Sequence, residues 1–349
     1  MKKAILIFTI MFSASMIFAQ ETKIESKTIF EGSADIYYKY DFSKADNSFT
    51  SFTNSHNSFE LGMASIVASH KQGKAEVFVD LGFGTRAAQF TYNDDPATFL
   101  IKQLYVTYAL SSNISVIAGS FGTHIGYELA DAVDNKNYSM SYAFSYGPFF
   151  NTGVKAQYTK GKFSIMAGVA NPTDFKTAIK AGSTQKTFIG QLAYVGDATS
   201  AFFNVTSGSS NPSSDENKTQ FDFVGTKKLN NKISLAFNGT YALTTNDSNS
   251  LNDGEWYSMV GYANYSLNDV VSLAYRIEYF NALKATSALG SLTGTSVLGN
   301  TLSLNYKVGN LTIIPEFRVD KASEEVFSNN HSVAKGITGF ALLATTYSF

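Results

Sequence analysis

The sequence contains no cysteine, which excludes a disulfide framework, a thiolate metal site, a cysteine nucleophile and a lipid anchor on cysteine. Charged residues make up only 16% of the chain, against about 25% in ordinary soluble domains. The 27 basic and 28 acidic residues nearly balance, whereas a nucleic-acid-binding protein carries a basic surplus. Beyond the N-terminal segment, no stretch approaches the roughly 18 consecutive apolar residues of a transmembrane helix. The sequence therefore argues against a helical membrane protein.

The first segment has the composition of a secretory signal peptide. Lys2 and Lys3 form a positive start, an apolar run follows, and Ala19 supplies a small residue at a cleavage point. A transmembrane anchor is the alternative, but the apolar run is shorter than the ~20 residues that such a helix needs. We predict that residues 1–19 are removed and that residues 20–349 form one domain. Without the two lysines the chain has 25 basic and 28 acidic residues, a net charge of about −3.

The rest of the chain alternates with a period of two, as expected where successive side chains of a strand point to opposite faces. In residues 271–279 every second residue is apolar or aromatic, and Arg276 and Glu278 lie between them. Most such segments have about 9–13 residues, enough for a tilted strand to cross a bilayer. The sixteen segments lie near 31–42, 57–69, 74–84, 98–110, 113–121, 149–158, 163–170, 184–195, 199–207, 219–228, 232–243, 255–267, 270–282, 295–307, 311–320 and 336–349.

The connections between these segments alternate between short and long. Seven short polar turns, such as 160–162 and 308–310, alternate with eight longer loops, which places both termini on the short-turn side. Outer-membrane barrels have an even strand number, short periplasmic turns and long outer loops. A soluble β-sandwich also alternates, but it does not require such uniform strands or such asymmetric connections. We therefore predict an all-β fold, a transmembrane antiparallel up-and-down β-barrel of about 16 strands.

The middle of the chain resembles the OmpL-like β-barrel porin family (β-barrel porin-2). Residues 114–158, ISVIAGSFGTHIGYELADAVDNKNYSMSYAFSYGPFFNTGVKAQY, carry the resemblance, and the Gly, Tyr and Pro pattern of residues 119–153 is its most specific part. It continues in NSFELGMA (57–64), EWYSMVGYANYSL (255–267) and LTIIPEFRVDKA (311–322), in the same order. This resemblance implies a Gram-negative outer-membrane porin, and the family carries no defined catalytic residues.

The predicted function is passive diffusion of small hydrophilic solutes and ions through a water-filled channel. No enzymatic activity, cofactor or metal is expected. A barrel enzyme would need a nucleophile, a base and an orienting residue at one rim, and none of the 4 histidines has a convincing Ser or Asp partner. The alternative that stays open is a plugged barrel with a structural or adhesive role, its lumen filled by residues 122–148.

The alternation also predicts which charged side chains face the lumen, because Lys or Arg on the lipid face costs about 2–4 kcal/mol near the bilayer midplane. Four of them are expected to form a ladder of charge across neighbouring strands, and rings of charge select solutes. Mixed signs predict weak selectivity, with a slight preference for cations. The predicted pore-lining residues are Lys39, Glu60, Glu76, Asp80, Lys155, the ladder Arg276, Glu278, Glu316 and Arg318, and Asp320; Asp35 and Asp222 fall on the same face.

The longest connection, residues 122–148, is the third long loop. By analogy with sixteen-stranded porins, we expect it to fold inward and narrow the pore, its acids facing basic wall residues. Tyr138, Tyr142 and Tyr146 are four residues apart and would share one face of a short helix. The alternative is an outer loop packed on its neighbours, with its acids in solvent. The predicted constriction residues are Glu128, Asp131, Asp134, Tyr138 and Tyr142.

The last strand ends on Phe349, and a terminal aromatic residue resembles the signal that barrels present to their assembly machinery. The expected partners are outer-membrane lipid and lipopolysaccharide, small hydrophilic solutes and the barrel assembly machinery, with no nucleic acid. A homotrimer stays open, because the sequence does not distinguish a lipid-facing apolar surface from one that faces another subunit.

Overall fold

A computed structural model of the protein describes residues 26–47, 49–93, 98, 100–177, 184–209, 215–246, 248, 253–284 and 289–349. The predicted signal peptide, residues 1–19, lies outside these residues. Within them, no helix is long and apolar enough to cross a membrane.

Sixteen antiparallel strands form one closed barrel, which confirms the predicted fold and strand number. Each strand pairs with its neighbours in the chain, and the last strand closes the barrel against the first. The barrel strands are β1 (Ser26–Asp41), β2 (Ser58–Gln72), β3 (Ala75–Phe83), β4 (Ile101–Ala109), β5 (Ile114–Gly122), β6 (Phe150–Lys160), β7 (Phe163–Ala170), β8 (Thr187–Val195), β9 (Thr199–Ser209), β10 (Glu216–Lys228), β11 (Ile233–Asn246), β12 (Gly254–Ser266), β13 (Val271–Lys284), β14 (Ser296–Val308), β15 (Leu311–Ala322) and β18 (Ile337–Ser348).

Short elements lie in the long connections, where the alternation predicted no secondary structure. They are helix α1 (Thr85–Phe90), helix α2 (Tyr142–Ser145), the hairpin strands β16 (Phe327–Ser328) and β17 (Ala334–Lys335), and 3₁₀ turns at Ala132–Asp134 and Gly290–Leu292. They form where loop backbone turns over the mouth of the barrel and has no strand to pair with.

Both termini of the barrel lie at the end with the short turns. Ser33 of β1 is in register with Ser348 of β18. Gly32 and Phe349 exchange two backbone hydrogen bonds, of 3.0 and 2.9 Å. The last residue of the chain thus completes the seam that closes the barrel.

The two faces of β13 show the alternation that the sequence predicts. On β13, Tyr275 and Ile277 expose 39% and 43% of their surface on the outer wall. Arg276 and Glu278, one residue away, point inside and expose 1% each. In a bilayer this places apolar side chains against lipid and confines charge to the interior.

Apolar clusters inside the barrel join wall residues to residues of the long loops. One joins Tyr142 to Trp256 and Phe280 of the wall and to Leu292 of a long loop. A second joins aromatic residues of three long loops, among them Phe52, with Phe150 at the start of β6. The long loops therefore pack into the barrel mouth.

Gly119 of β5 occupies a position that only glycine tolerates. Its φ is +134°, and a Cβ there would lie 2.2 Å from the carbonyl oxygen of Leu104 and 2.6 Å from the Cα of Tyr105. We expect Gly119→Ala to lower the free energy of unfolding by about 1–3 kcal/mol, because the backbone would be strained. The urea midpoint of the protein folded in lipid vesicles measures this. The matched control is Gly309→Asn in a turn with open space around it, and equal midpoints for the two variants would contradict the assignment.

Candidate functional site

The loop between β5 and β6, residues 123–149 and here called L3, lies inside the barrel. From Tyr138 to Tyr142 its side chains expose 0–1% of their surface. Backbone inside a barrel still needs hydrogen-bond partners, and the wall supplies them as charged side chains. The site is therefore defined by how wall charges and loop backbone fit together.

Glu316 of β15 accepts hydrogen bonds from two successive loop amides. Its carboxylate oxygens lie 2.7 Å from the nitrogen of Tyr138 and 3.0 Å from that of Ser139. The Ser303 hydroxyl on β14 donates a third bond, of 2.7 Å. One buried carboxylate thus satisfies two loop amides with charge-assisted bonds.

Glu278 of β13 forms the same arrangement with L3 amides four residues further along the loop. Its two oxygens each lie 2.9 Å from a loop amide, those of Tyr142 and Ala143. These amides begin helix α2, where unpaired N–H groups attract negative charge. Ser141 caps the same helix, its hydroxyl accepting from the amide of Phe144 at 3.0 Å.

Arg276, beside Glu278 on β13, bonds L3 through both a carbonyl and a carboxylate. Its Nη1 lies 2.5 Å from the carbonyl oxygen of Ser139 and 2.6 Å from Glu128 Oε1. The other oxygen of Glu128 accepts from the amide and hydroxyl of Ser141, at 2.8 and 2.7 Å. Glu128 therefore bridges the wall and two parts of the loop.

Arg318 of β15 binds the next carbonyl. Its Nη1 lies 2.7 Å from the carbonyl oxygen of Met140, and its Nε lies 2.8 Å from Asp320. Its guanidinium also lies over the ring of Tyr142, whose hydroxyl donates to Asp320 at 3.0 Å. Two neighbouring loop carbonyls, at Ser139 and Met140, are thus held by two arginines.

Arg86 of α1 is a site residue that the sequence did not reveal. It is fully buried, with its guanidinium 4.8 Å from the ring centre of Phe52 and 4.9 Å from that of Tyr138. It donates to the carbonyl of Ala130 at 3.1 Å and lies 3.9 Å from Asp35, which also accepts from the Tyr138 hydroxyl. A residue in a long loop has no strand parity from which its direction could be predicted.

Lys102 of β4 is the second residue that the sequence missed. Its Nζ lies 2.6 Å from Asp131 of L3, 3.0 Å from Asp80 of β3 and 2.8 Å from the Ser65 hydroxyl. The register between β3 and β4 shifts at Asp80, where Gln103 is its partner and Ile101 pairs with Leu81. Lys102 is the extra residue of this bulge, which turns it inward against the simple alternation.

The predicted pore-lining residues fall into two groups by burial. Beneath L3 or its flanking loops, exposures are 1–6%; around the remaining wall, side chains are half-buried. The first group is Asp35, Lys39, Asp80, Asp222, Arg276, Glu278, Glu316, Arg318 and Asp320; the second is Glu60, Glu76 and Lys155. Their part in solute selection stays a prediction.

The expected ladder among Arg276, Glu278, Glu316 and Arg318 is wrong. β14 separates the two strands, and its Thr301 is in register with both arginines. Among the residues that the structure describes, no ion pair joins these four side chains. They bond L3 instead, because its amides and carbonyls lie within reach.

The predicted constriction acids also divide. Glu128 and Asp131 meet the bases Arg276 and Lys102, as expected. Asp134 does not: it is exposed at a 3₁₀ turn and forms no ion pair within the described chain. The expectation that Asp134 meets a basic wall residue is therefore wrong; it lines a cavity together with Asp80 instead.

The predicted helical face of tyrosines holds for one pair only. Helix α2 has a single turn, and the rings of Tyr142 and Tyr146 lie 6.5 Å apart and 9° from parallel. Tyr138 lies outside the helix, so its placement on that face is wrong. The backbone bends at residues 136–139, and the amide of Tyr138 donates to Glu316 of the wall.

The comparisons with known proteins agree with this architecture. The family described as "beta-barrel porin-2, OmpL-like" matches residues 27–349. The chain belongs to this family. The comparison with curated proteins found no match to this chain.

Solved structures show the same fold at low sequence identity. An anion-selective porin from Comamonas acidovorans is 11% identical, with a TM-score of 0.63 over 93% of this chain and 100% of that one. OmpT of Vibrio cholerae, in a trimer form, is 10% identical, with a TM-score of 0.62 over 93% and 99%. The outer-membrane channel DcaP of Acinetobacter baumannii is 11% identical, with a TM-score of 0.59 over 93% and 97%.

Removing the Glu316 carboxylate tests how L3 is held. In Glu316→Ala two buried amides lose their acceptor, at a cost of about 1–3 kcal/mol each, so L3 is expected to open more often. Lys136 is the only Lys or Arg in L3, and trypsin cleavage there measures opening. We expect at least tenfold faster cleavage than in the wild type. Glu324→Ala, at an exposed loop position, is the control, and equal rates in both variants would refute the role of Glu316.

The buried pair of Arg276 and Glu128 can be tested by a double-mutant cycle. Arg276→Met leaves Glu128 buried without its base, which typically costs about 3–5 kcal/mol. We expect the free energy of opening L3 to fall by about this amount. Adding Glu128→Gln is expected to recover part of the loss, since no unpaired charge remains. Hydrogen exchange of L3 amides measures both. The exposed pair Lys284 and Glu255, 4.0 Å apart, is the control and should contribute under about 1 kcal/mol; additive effects at the buried pair would contradict the coupling.

Proposed function

We propose that this protein is an outer-membrane porin of a Gram-negative bacterium, a channel rather than an enzyme, for passive diffusion of small hydrophilic solutes and ions. One observation carries the proposal: the barrel is closed, apolar outside and charged inside, with L3 held across its lumen. A closed barrel satisfies its backbone in lipid, and the half-buried charges of the inner wall, Glu60, Glu76 and Lys155, are stable only where water reaches them.

A narrow passage is supported by the unequal filling of the lumen. L3 bonds β13 and β15, where the wall charges are buried. Near the short turns of β6–β9 the inward side chains Gln157, Ser164, Gln191 and Ser200 are half-buried and uncharged, whereas Met166, Ile189 and Asn204, nearer the long loops, are buried. We infer that the route for solutes is narrow on this side too, which limits them to small molecules.

A slight preference for cations is supported by the short-turn end of the lumen. A cavity of about 720 Å³ opens there below L3, and Glu31, Asp80, Asp131 and Asp134 line it. Lys102 neutralises part of this charge through Asp80 and Asp131. The remaining acids raise the local concentration of cations at the mouth.

The second candidate function is a plugged barrel with a structural or adhesive role. The burial of residues 138–142 and the apolar packing of Tyr142 on Trp256 and Phe280 favour it. A loop that never moves would leave no continuous water path on that side of the lumen. Conductance distinguishes the two candidates.

Lipid, assembly machinery and copies of the same chain are the partners we propose. The exposed outer wall carries large apolar side chains such as Phe163 and Phe188, each 65% exposed, which suit acyl chains. Phe349 at the closing seam is the residue we assign to recognition by the assembly machinery. A homotrimer is supported by the fold shared with OmpT, whose structure has a trimer form.

Single-channel recording in planar bilayers tests the proposed function. The folded wild type should give small, steady current steps. In a salt gradient, the sign of its reversal potential should correspond to a weak preference for cations. Deletion of residues 132–143 should raise the step size several-fold, because it removes the part of L3 that spans the lumen. Silence of the wild type with large steps in the deletion variant would favour the plugged barrel, and silence of both folded proteins would exclude a porin.

A further inference from the structure

Three apolar side chains of the inner wall stay partly exposed to the lumen. Phe78 on β3, Tyr105 on β4 and Ile117 on β5 point inward and are half-buried, and Tyr105 and Ile117 also pack against the buried cluster of Phe121, Met166 and Ile189. The rings of Phe78 and Tyr105 stack at 4.9 Å and 17°. We call these three residues the apolar stripe. Apolar side chains exposed to a water-filled passage are unfavourable, and they commonly mark a place where a ligand is bound.

Lys155 on β6 ends this stripe. It is the register partner of Ile117, and its Nζ lies 4.0 Å from the ring centre of Phe121. Within the described chain no carboxylate lies within ion-pair distance of Lys155 and no hydrogen bond reaches its ammonium group. Lys102, by contrast, has two carboxylate partners. Lys155 therefore carries a positive charge that the protein itself leaves uncompensated.

The surroundings of Lys155 leave one side without a neighbouring side chain and supply no competing cation. Its register partner on that side is Gly168, so β7 places no side chain beside the lysine. His124 of L3 approaches the same region, but burial lowers the pKa of His124 to about 4, so it is neutral near pH 7. A single fixed positive charge thus faces the lumen beside the stripe.

The dimensions and charges define the ligand class. Four neighbouring strands, from Phe78 to Lys155, span about 14 Å at a spacing of about 4.8 Å. This length accepts one ring and a short chain that ends in a carboxylate. The Phe78 end opens on the cavity lined by Asp80 and Asp131, which repels any second negative charge. The match is an amphipathic monoanion rather than a dianion or a simple salt ion.

We propose that the apolar stripe and Lys155 form a binding site for amphipathic organic monoanions on the lumen wall. The carboxylate pairs with the Lys155 ammonium, and the apolar body lies on Ile117, Tyr105 and Phe78. The inference deepens the proposed function, since it names a class of solute that the passage retains. Such a site gives preference to one class of solute within a lumen whose other charges are mostly paired.

Calorimetric titration of the folded, detergent-solubilised full chain with 4-phenylbutyrate tests the site without requiring conductance. We expect saturable binding. The neutral amide of the same acid and acetate are the two control probes, and each should bind at least tenfold more weakly. The amide also corrects for partition into detergent. Equal binding of acetate would reduce the site to a simple anion site and overturn the proposal, as would equal binding of the amide or no binding to folded protein.

Variants separate the two halves of the site. Lys155→Met keeps the apolar stem and should weaken 4-phenylbutyrate binding about tenfold, which is 1.4 kcal/mol at about room temperature. Ile117→Thr should weaken it several-fold while leaving the weak binding of acetate unchanged. Lys160→Met, on the same strand but exposed at its end, is the matched control and should bind like the wild type. Wild-type affinity in Lys155→Met would refute the assignment.

Bilayer recording of the same proteins separates this inference from the proposed function. Brief blocks of current by 4-phenylbutyrate that disappear in Lys155→Met would support both. Binding by calorimetry in a protein that stays silent would retain the site and refute the porin. Steady conductance without binding would retain the porin and refute the site.

Discussion

Hydrogen bonding of the L3 backbone by buried wall charges is the interaction on which this structure depends. A loop inside a barrel has no strand to pair with, and unpaired amides away from water are costly. Carboxylates buried in the wall are also costly unless they are bonded. Here the loop backbone and the wall charges satisfy each other. Glu316 and Glu278 accept hydrogen bonds from loop amides, while Arg276 and Arg318 donate to loop carbonyls.

This arrangement changes what the charged wall can do. On one side of the lumen, wall charges that a porin could present to passing ions are hydrogen-bonded to L3 instead. Aromatic packing around Tyr142 and Phe280 fills the same side. Along β3–β9 the inward side chains Glu76, Lys155 and Gln157 stay half-buried, whereas Asp80, Met166 and Asn204 are buried. Under the proposed function we expect solute preference to depend on fewer residues than the number of inward charges suggests, chiefly Lys155 and the acids of the short-turn cavity.

The predictions that failed share a cause. The alternation along a strand predicts which face a residue lies on, so it placed Arg276 and Glu316 inside. It does not predict which groups those side chains contact there. The inward position of Lys102 was not predicted because a bulge adds one residue to the alternation. Arg86 could not be predicted because it lies in a loop. Tyr138 lies outside the predicted helix, and its amide donates to Glu316 instead.

The sequence by itself determined the strand number, the strand positions, the two faces and the end at which the termini meet. These properties follow from a period of two and from loop length, both of which are local. The inward fold of L3 was expected by analogy with other porins, but only the tertiary structure decided which wall charges bond it and that no carboxylate pairs with Lys155 beside Ile117. Such pairings join residues more than a hundred positions apart, as between Tyr138 and Glu316, and they exist only once the barrel closes and brings its wall around the loop.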